Sequence, residues 1–241
     1  MHGRRGWLIR HRVTVAVAIV AAATGAGGTA LALPAASSPN VVSLPVAGRT
    51  QATLNVMSGT PVLDISVARL PGTLVRVSTP SGAPVRPVLS GSRPILLSLA
   101  GDGGGPGQQD AVTVVLNAAV VWSLDLAGGT QRTDVDLRGG KVGVVAVTAG
   151  SDILDVTLPR PAGTLPFLFA GGASQFRLSL PGGVPARVIA GGGAGYLTVD
   201  GQHLTGVAGG TVLATPGWAT ARSRFDIDAT AGVALLTVIR W

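Results

Sequence analysis

The stretch LDLAGGTQRTDVDLRGGKVGVVAVTAGS, residues 124–151, states one phrase three times: LDLAGGT, VDLRGGK and VAVTAGS, each a few alternating apolar residues followed by small ones. The phrase returns as VTLPRPAGT from 156, LFAGGAS from 168, LSLPGGV from 178, VIAGGGA from 188, LTVDG from 197 and VAGGT from 207. The nine starts fall at positions 124, 135, 145, 156, 168, 178, 188, 197 and 207, so the step is nearly constant. A step this regular marks a stacked repeat architecture.

A few alternating residues make a short strand with one buried face, and paired glycines supply the positive φ that a sharp turn calls for. Such a strand is not stable alone. Wound as a coil, each strand pairs with its equivalent one coil away, and the inward Val, Leu and Ile stack into a continuous column. Two steps, about 21 residues, make one coil of a flattened β-solenoid, whereas three make a triangular one. The spacing alone does not choose between them. Evenly spaced turn signals also suit an antiparallel β-sandwich, which is the competing architecture.

Composition agrees with an all-β chain. The 241 residues are 46% hydrophobic and only 12% charged, with 36 Gly, 16 Pro and no Cys. All eleven acidic residues are Asp, so strand and turn formers stand where a helical protein would carry Glu, Lys and Gln. Residues 41–123 have the same texture less regularly and form the opening part of the β domain, ahead of the regular region 124–241. Its expected strands are QATLNVM, PVLDISVA, GTLVRVST, ILLSLA and one long strand AVTVVLNAAVVWSLDL, with GDGGGPGQQD (101–110) as a surface loop.

Residues 1–32 read as a secretory signal peptide or an N-terminal membrane anchor. A basic MHGRRGWLIRHR precedes the apolar VTVAVAIVAAATGAGGTALA, which closes on Ala30-Leu31-Ala32, the small-x-small form of a cleavage site. The apolar run, 13–32, is just long enough to span a bilayer. Arg4 and Arg5 also fit a degenerate twin-arginine signal. Residues 33–40, LPAASSPN, form a linker. The expected location is therefore extracytoplasmic, secreted or held at the cytoplasmic membrane. The formal charge of +7 falls to +3 without Arg4, Arg5, Arg10 and Arg12, and aromatics are 4%, so nucleic acid is not an expected partner.

The Gly-Gly phrases, LPRPAG at 158–163, FAGGASQFRLSLPGGVPARV, AGGGAGYLTVDG and the closing FDIDATAGVALLTV resemble the actinobacterial extracytoplasmic β-solenoid domains of the putative-adhesin and LiaF-type C-terminal domain group. The resemblance covers about residues 115–241 well and the preceding part loosely, and it rests on structural turns. It implies a fold, no catalytic residue, and either an adhesin-like surface role or a regulatory one beside an envelope-stress sensor. LiaF-type proteins carry several membrane spans, and this chain departs from them in having a single apolar segment.

The inventory for chemistry is thin. Past the leader there is one histidine, His203, expected in a turn, and no G-x-S-x-G stretch supplies a nucleophile. A wall-polymer hydrolase is accordingly the least supported function. Asp134-x-Asp136 and Asp226-x-Asp228 each place two carboxylates on one strand face, a pattern for calcium or for pairing with Arg132 and Arg224. The dispersed arginines, as in TLVRVST and GVPARVIA, blunt strand edges or align as a ladder for anionic polymers. Trp122, Trp218 and Trp241 suit core, cap or sugar stacking, with Arg240 and Trp241 expected in a cap at the solenoid end. No catalytic, cofactor-binding or metal residue is assigned. The expected function is a non-enzymatic surface module whose partner is a cell-wall polymer, a lipid headgroup or a membrane-sensor protein.

Overall fold

The computed structural model describes residues 40–101 and 111–241. The leader, the linker except Asn40, and the 101–110 loop except Gly101 lie outside the described residues. Among the described residues, nineteen strands and no helix follow in chain order. The first seven are β1 (Val41–Pro45), β2 (Gln51–Val56), β3 (Thr60–Ala68), β4 (Thr73–Ser78), β5 (Val85–Ser90), β6 (Ile95–Gly101) and β7 (Ala111–Asn117). Next come β8 (Val121–Leu126), β9 (Thr130–Asp136), β10 (Lys141–Val147), β11 (Ser151–Thr157), β12 (Thr164–Phe169) and β13 (Ala173–Leu180). The last six are β14 (Ala186–Ala190), β15 (Ala194–Val199), β16 (Gln202–Val207), β17 (Thr211–Ala214), β18 (Arg224–Ala229) and β19 (Val233–Arg240).

These strands form a flattened β-solenoid of two sheets. The ten-stranded sheet is ordered β1-β4-β7-β3-β9-β11-β13-β19-β15-β16, and the nine-stranded sheet β17-β14-β18-β12-β10-β8-β2-β6-β5. Successive coils β8–β9, β10–β11 and β12–β13 contribute one strand to each sheet. Thr130 pairs with Ser151 and Ser151 with Ala173, so one coil spans two of the sequence steps. Twelve of the seventeen strand pairings are parallel. The five antiparallel pairings occur only at the two ends, which excludes the antiparallel sandwich.

Alternation produces the core directly. On the nine-stranded side Leu124, Val145, Phe167, Ile227 and Val188 stand in register, one per strand, and all are buried. Ile65, Val135, Val156, Leu178, Val238 and Val199 form the facing column of the other sheet. Burial of each such side chain is worth about 1.5 to 3 kcal/mol. Phe176 closes the gap between the sheets by contacting Phe167 and Phe169 at ring-centroid distances of 5.4 and 4.9 Å.

The tight corners explain the small-residue pairs for two reasons. The expected positive φ holds at Gly172, Gly183, Gly193 and Gly210. Gly128, Gly129, Gly150, Gly171, Gly192 and Gly232 are not among the positive-φ residues. What most of them lack is room. A Cβ on Gly128 would overlap the Ser58 carbonyl, and one on Gly171 the Ala149 carbonyl. The corners are stacked backbone on backbone, and their carbonyls continue the ladder: Thr130 N donates to Gly150 O and Ser151 N to Gly172 O.

Coil order departs from chain order at both ends. Coil β2–β3 lies between β6–β7 and β8–β9, and β18–β19 lies between β12–β13 and β14–β15. The last strand is therefore interior to its sheet. Arg240 and Trp241 do not cap the solenoid: Trp241 N donates to Leu180 O within the stack. The caps are antiparallel strands, β1, β4 and β5 at one end, β16 and β17 at the other. The phrases at 197 and 207 thus belong to an end where pairing turns antiparallel. Edge strands β1 and β5 contain Pro45 and Pro87, which lack the N–H that would invite a further strand.

AVTVVLNAAVVWSLDL is two strands, β7 and β8, with a corner between them. Asn117 makes the break. Its amide Nδ2 donates to Leu70 O and Thr73 O, its Oδ1 accepts from Ala119 N, and its carbonyl accepts from the buried Trp122 Nε1 at 3.0 Å.

Candidate functional site

Strict register puts equivalent side chains of successive coils side by side on the outer face of the ten-stranded sheet. One row reads Val62, Arg132, Ile153, Gln175, Leu235 and Tyr196 across β3, β9, β11, β13, β19 and β15. The neighbouring row, two residues further along each strand, reads Asp64, Asp134, Asp155, Arg177, Thr237 and Thr198. Between them lies a shallow hollow of about 220 Å³ bordered by Arg132, Asp155, Gln175, Arg177, Leu235 and Thr237. Tyr196 stands beside Leu235 with 59% of its surface exposed.

Three aspartates in adjacent strands repel one another, and arginines partly offset this. Arg132 lies 3.8 Å from Asp134 and 3.3 Å from Asp155, and Arg177 lies 3.8 Å from Asp155 on its other side. Desolvation, followed by the charge of Asp155, raises the Asp134 pKa against the opposing pull of Arg132, with Asp64 and Asp136 adding to the rise. Asp136 goes the other way, lowered by its hydrogen bonds from Arg138.

A second open groove, about 870 Å³, follows the glycine corners past Gly59, Gly129, Gly150 and Gly172, with Gln131 and Asp152 on its wall. Its inner rim is held by hydroxyls: Thr130 Oγ1 meets Ser151 Oγ at 2.8 Å, and Ser151 Oγ donates to Ile153 O.

The residues singled out in the sequence scatter over the molecule. Asp134 and Asp136 do share an outward face, each beside an arginine. Asp226 is held bidentately by Arg187, at 2.8 and 2.7 Å, and not by Arg224. Arg224 instead donates to Trp218 O, Ala219 O and Thr164 Oγ1. The Trp218 ring has both guanidiniums against it, Arg187 at 4.0 Å and Arg224 at 4.6 Å, while its Nε1 donates to Phe225 O. It is engaged within the fold. Trp122 is buried in the core and Trp241 is half exposed.

The arginine ladder does not form: the register neighbours of Arg177 are Asp155 and Thr237, and Arg187 faces Asp226. His203 is not in a turn but in the exposed capping strand β16, where Nδ1 lies 3.0 Å from Thr198 Oγ1. Among the described residues no carboxylate forms an ion pair with it. No group of three or more His, Cys, Asp or Glu is placed to hold a metal among the described residues.

Gln175, Arg177, Leu235 and Tyr196 are neighbours that the sequence reading does not single out. The coil step links Arg132 to Ile153 to Gln175, and that spacing is the signal that could have found Gln175 and, two residues on, Arg177. Leu235 and Tyr196 join the row only because β19 and β15 stack out of chain order.

A similar fold occurs in a solved structure from Clostridium sporogenes described as a putative cell adhesion protein, with a TM-score of 0.61 at 15% identity over 83% of this chain and 98% of that one. A putative adhesin from Parabacteroides distasonis superposes with a TM-score of 0.24 at 13% identity, over 60% of this chain and 71% of that one. The sequence matches no family profile and no curated protein.

Proposed function

We propose that this chain is a non-enzymatic, exported cell-envelope protein acting as an adhesin-like surface module, with the outer face of the ten-stranded sheet as its contact surface. The observation that carries the reading is the pair of in-register rows. They present guanidinium, carboxylate, amide, hydroxyl and aromatic groups at the interstrand spacing of about 4.8 Å on a framework fixed by parallel ladders. Such a surface binds with little ordering cost, because its groups are already in place. A wall polymer, whose repeating hydroxyls both donate and accept, matches that mixture of groups. The description of the Clostridium sporogenes protein as a putative cell adhesion protein supports the same role.

The test is cosedimentation of the purified full-length chain with isolated cell envelopes. Saturable binding that falls at least tenfold in a Gln175→Ala, Tyr196→Ala double variant supports the reading. Absence of binding by the unaltered chain overturns it.

A further inference from the structure

We infer a second ligand site, for a phosphate group, on the outer face of the nine-stranded sheet. It is distinct from the surface assigned above and stands whether or not that assignment does. Here a hollow of about 530 Å³ has Arg49, Thr50, Gln51, Thr53, Arg93 and Ser123 on its wall. It holds two guanidiniums, three hydroxyls and an amide, and among the described residues no carboxylate lines it.

Arg49 is the decisive residue. Its Nη1 is buried and has no hydrogen-bond partner, one of two such side-chain atoms among the described residues. A buried cationic donor left unmade is costly, and proteins ordinarily place a carboxylate against it. Neither Arg49 nor Arg93 forms an ion pair with a carboxylate among the described residues.

The backbone fixes Arg49 in this position. Ala47 and Gly48 both adopt left-handed conformations, φ 45° and 72°, closing a turn in which Arg49 N donates to Val46 O at 2.9 Å. For alanine that conformation is strained. Thr50 O then accepts from Val121 N, pinning the segment onto β8. Lys141 begins the next strand, in register with Val121, and adds a third cation at the same end of the sheet. The nearest acid along β8 is Asp125, which accepts from Thr148 Oγ1.

Two guanidiniums suit an oxyanion, since each forks onto two oxygens. The further donors available from Thr50, Thr53, Ser123 and Gln51 exceed what a carboxylate's two oxygens accept, and fit the three or four oxygens of a phosphate. The phosphate is either that of a lipid headgroup or that of a soluble ester.

The experiment is a titration of the full-length chain with inorganic phosphate, followed by NMR of the arginine Nε–Hε groups, with acetate as the control anion. Saturable shifts at Arg49 and Arg93, at least tenfold weaker for acetate and lost in Arg49→Gln, support the site. Arg49→Gln should keep or raise Tm, because it removes a buried unpaired donor, and the exposed Arg93→Gln provides a variant indifferent to folding that should also weaken binding severalfold. No saturable shift, equal binding of acetate, or unchanged binding in both variants overturns the inference. Given binding, vesicles of one part phosphatidylglycerol to four parts phosphatidylcholine and free sn-glycerol 3-phosphate separate the sources: a response confined to vesicles assigns the lipid, and equal response to the free ester assigns a soluble ligand.

Discussion

Gly171 lies directly against Ala149 of the preceding coil, so close that a Cβ on Gly171 would overlap the Ala149 carbonyl oxygen. The relationship converts a sequence repeat into a structural requirement: the corners stack only where one residue of the corner has no side chain.

Gly171→Ala should therefore destabilise the chain by about 1 to 3 kcal/mol, the scale of overpacking in a closed interior. Gly139→Ala is the control, since a Cβ there meets nothing within 4 Å and its φ is not positive. It should be neutral or slightly stabilising. Urea unfolding of the two variants checks the contrast.

Phe176→Ala should cost about 3 to 5 kcal/mol, because it empties the space that Phe176 fills against Phe167 and Phe169. The same substitution at Tyr196, exposed by 59%, should leave Tm unchanged. Thermal unfolding separates them.

Asp134 and Asp136 should respond to pH with opposite signs. The folded state raises the Asp134 pKa, so its contribution is fully present below the unfolded value near 3.8 and is lost as pH rises through the folded one. At neutral pH the charged Asp134 opposes folding, and Asp134→Asn should raise Tm slightly, an advantage that disappears in acid. Asp136 is lowered, so its contribution is present above its unfolded value and lost as pH falls through the folded one. Asp136→Asn should lower Tm at neutral pH. Melting curves at neutral pH and on both sides of 3.8, the ordinary value from which the two groups shift in opposite directions, decide the matter.

Removing residues 224–241 should unfold far more than one coil. In a simple solenoid the terminal coil peels away with little effect on the rest. Here β18 and β19 lie inside both sheets, and their loss leaves β14 and β15 without their parallel neighbours. Limited proteolysis should cut the truncated chain throughout 181–223. Survival of that segment intact would contradict the interleaved order.

The all-β class and the coiled repeat after residue 124 follow from local pattern, because alternation decides which side chains face inward. The number of steps per coil does not: the spacing suits two or three, and the register of Thr130 with Ser151 and of Ser151 with Ala173 sets two. Pattern is silent on coil order. Nothing in FDIDATAGVALLTV says that it inserts between coils formed much earlier in the chain, since its Phe225 and Ile227 would fit equally well at an end. The break at Asn117 is hidden in a continuous apolar run, and only the side-chain bonds of Asn117 reveal it. Given a two-step coil, the proposed contact surface can be followed along the sequence from Arg132 to Ile153 to Gln175, and it becomes invisible where β19 leaves chain order.

The most direct test of the proposed role is photocrosslinking in intact cells from a photoreactive residue placed at Gln175 of the full-length chain, with mass spectrometry of the adducts. An adhesin-like surface module should yield adducts with envelope glycans or lipids and no dominant protein. A single dominant membrane protein would contradict that role and assign the outer face to a regulatory partner instead.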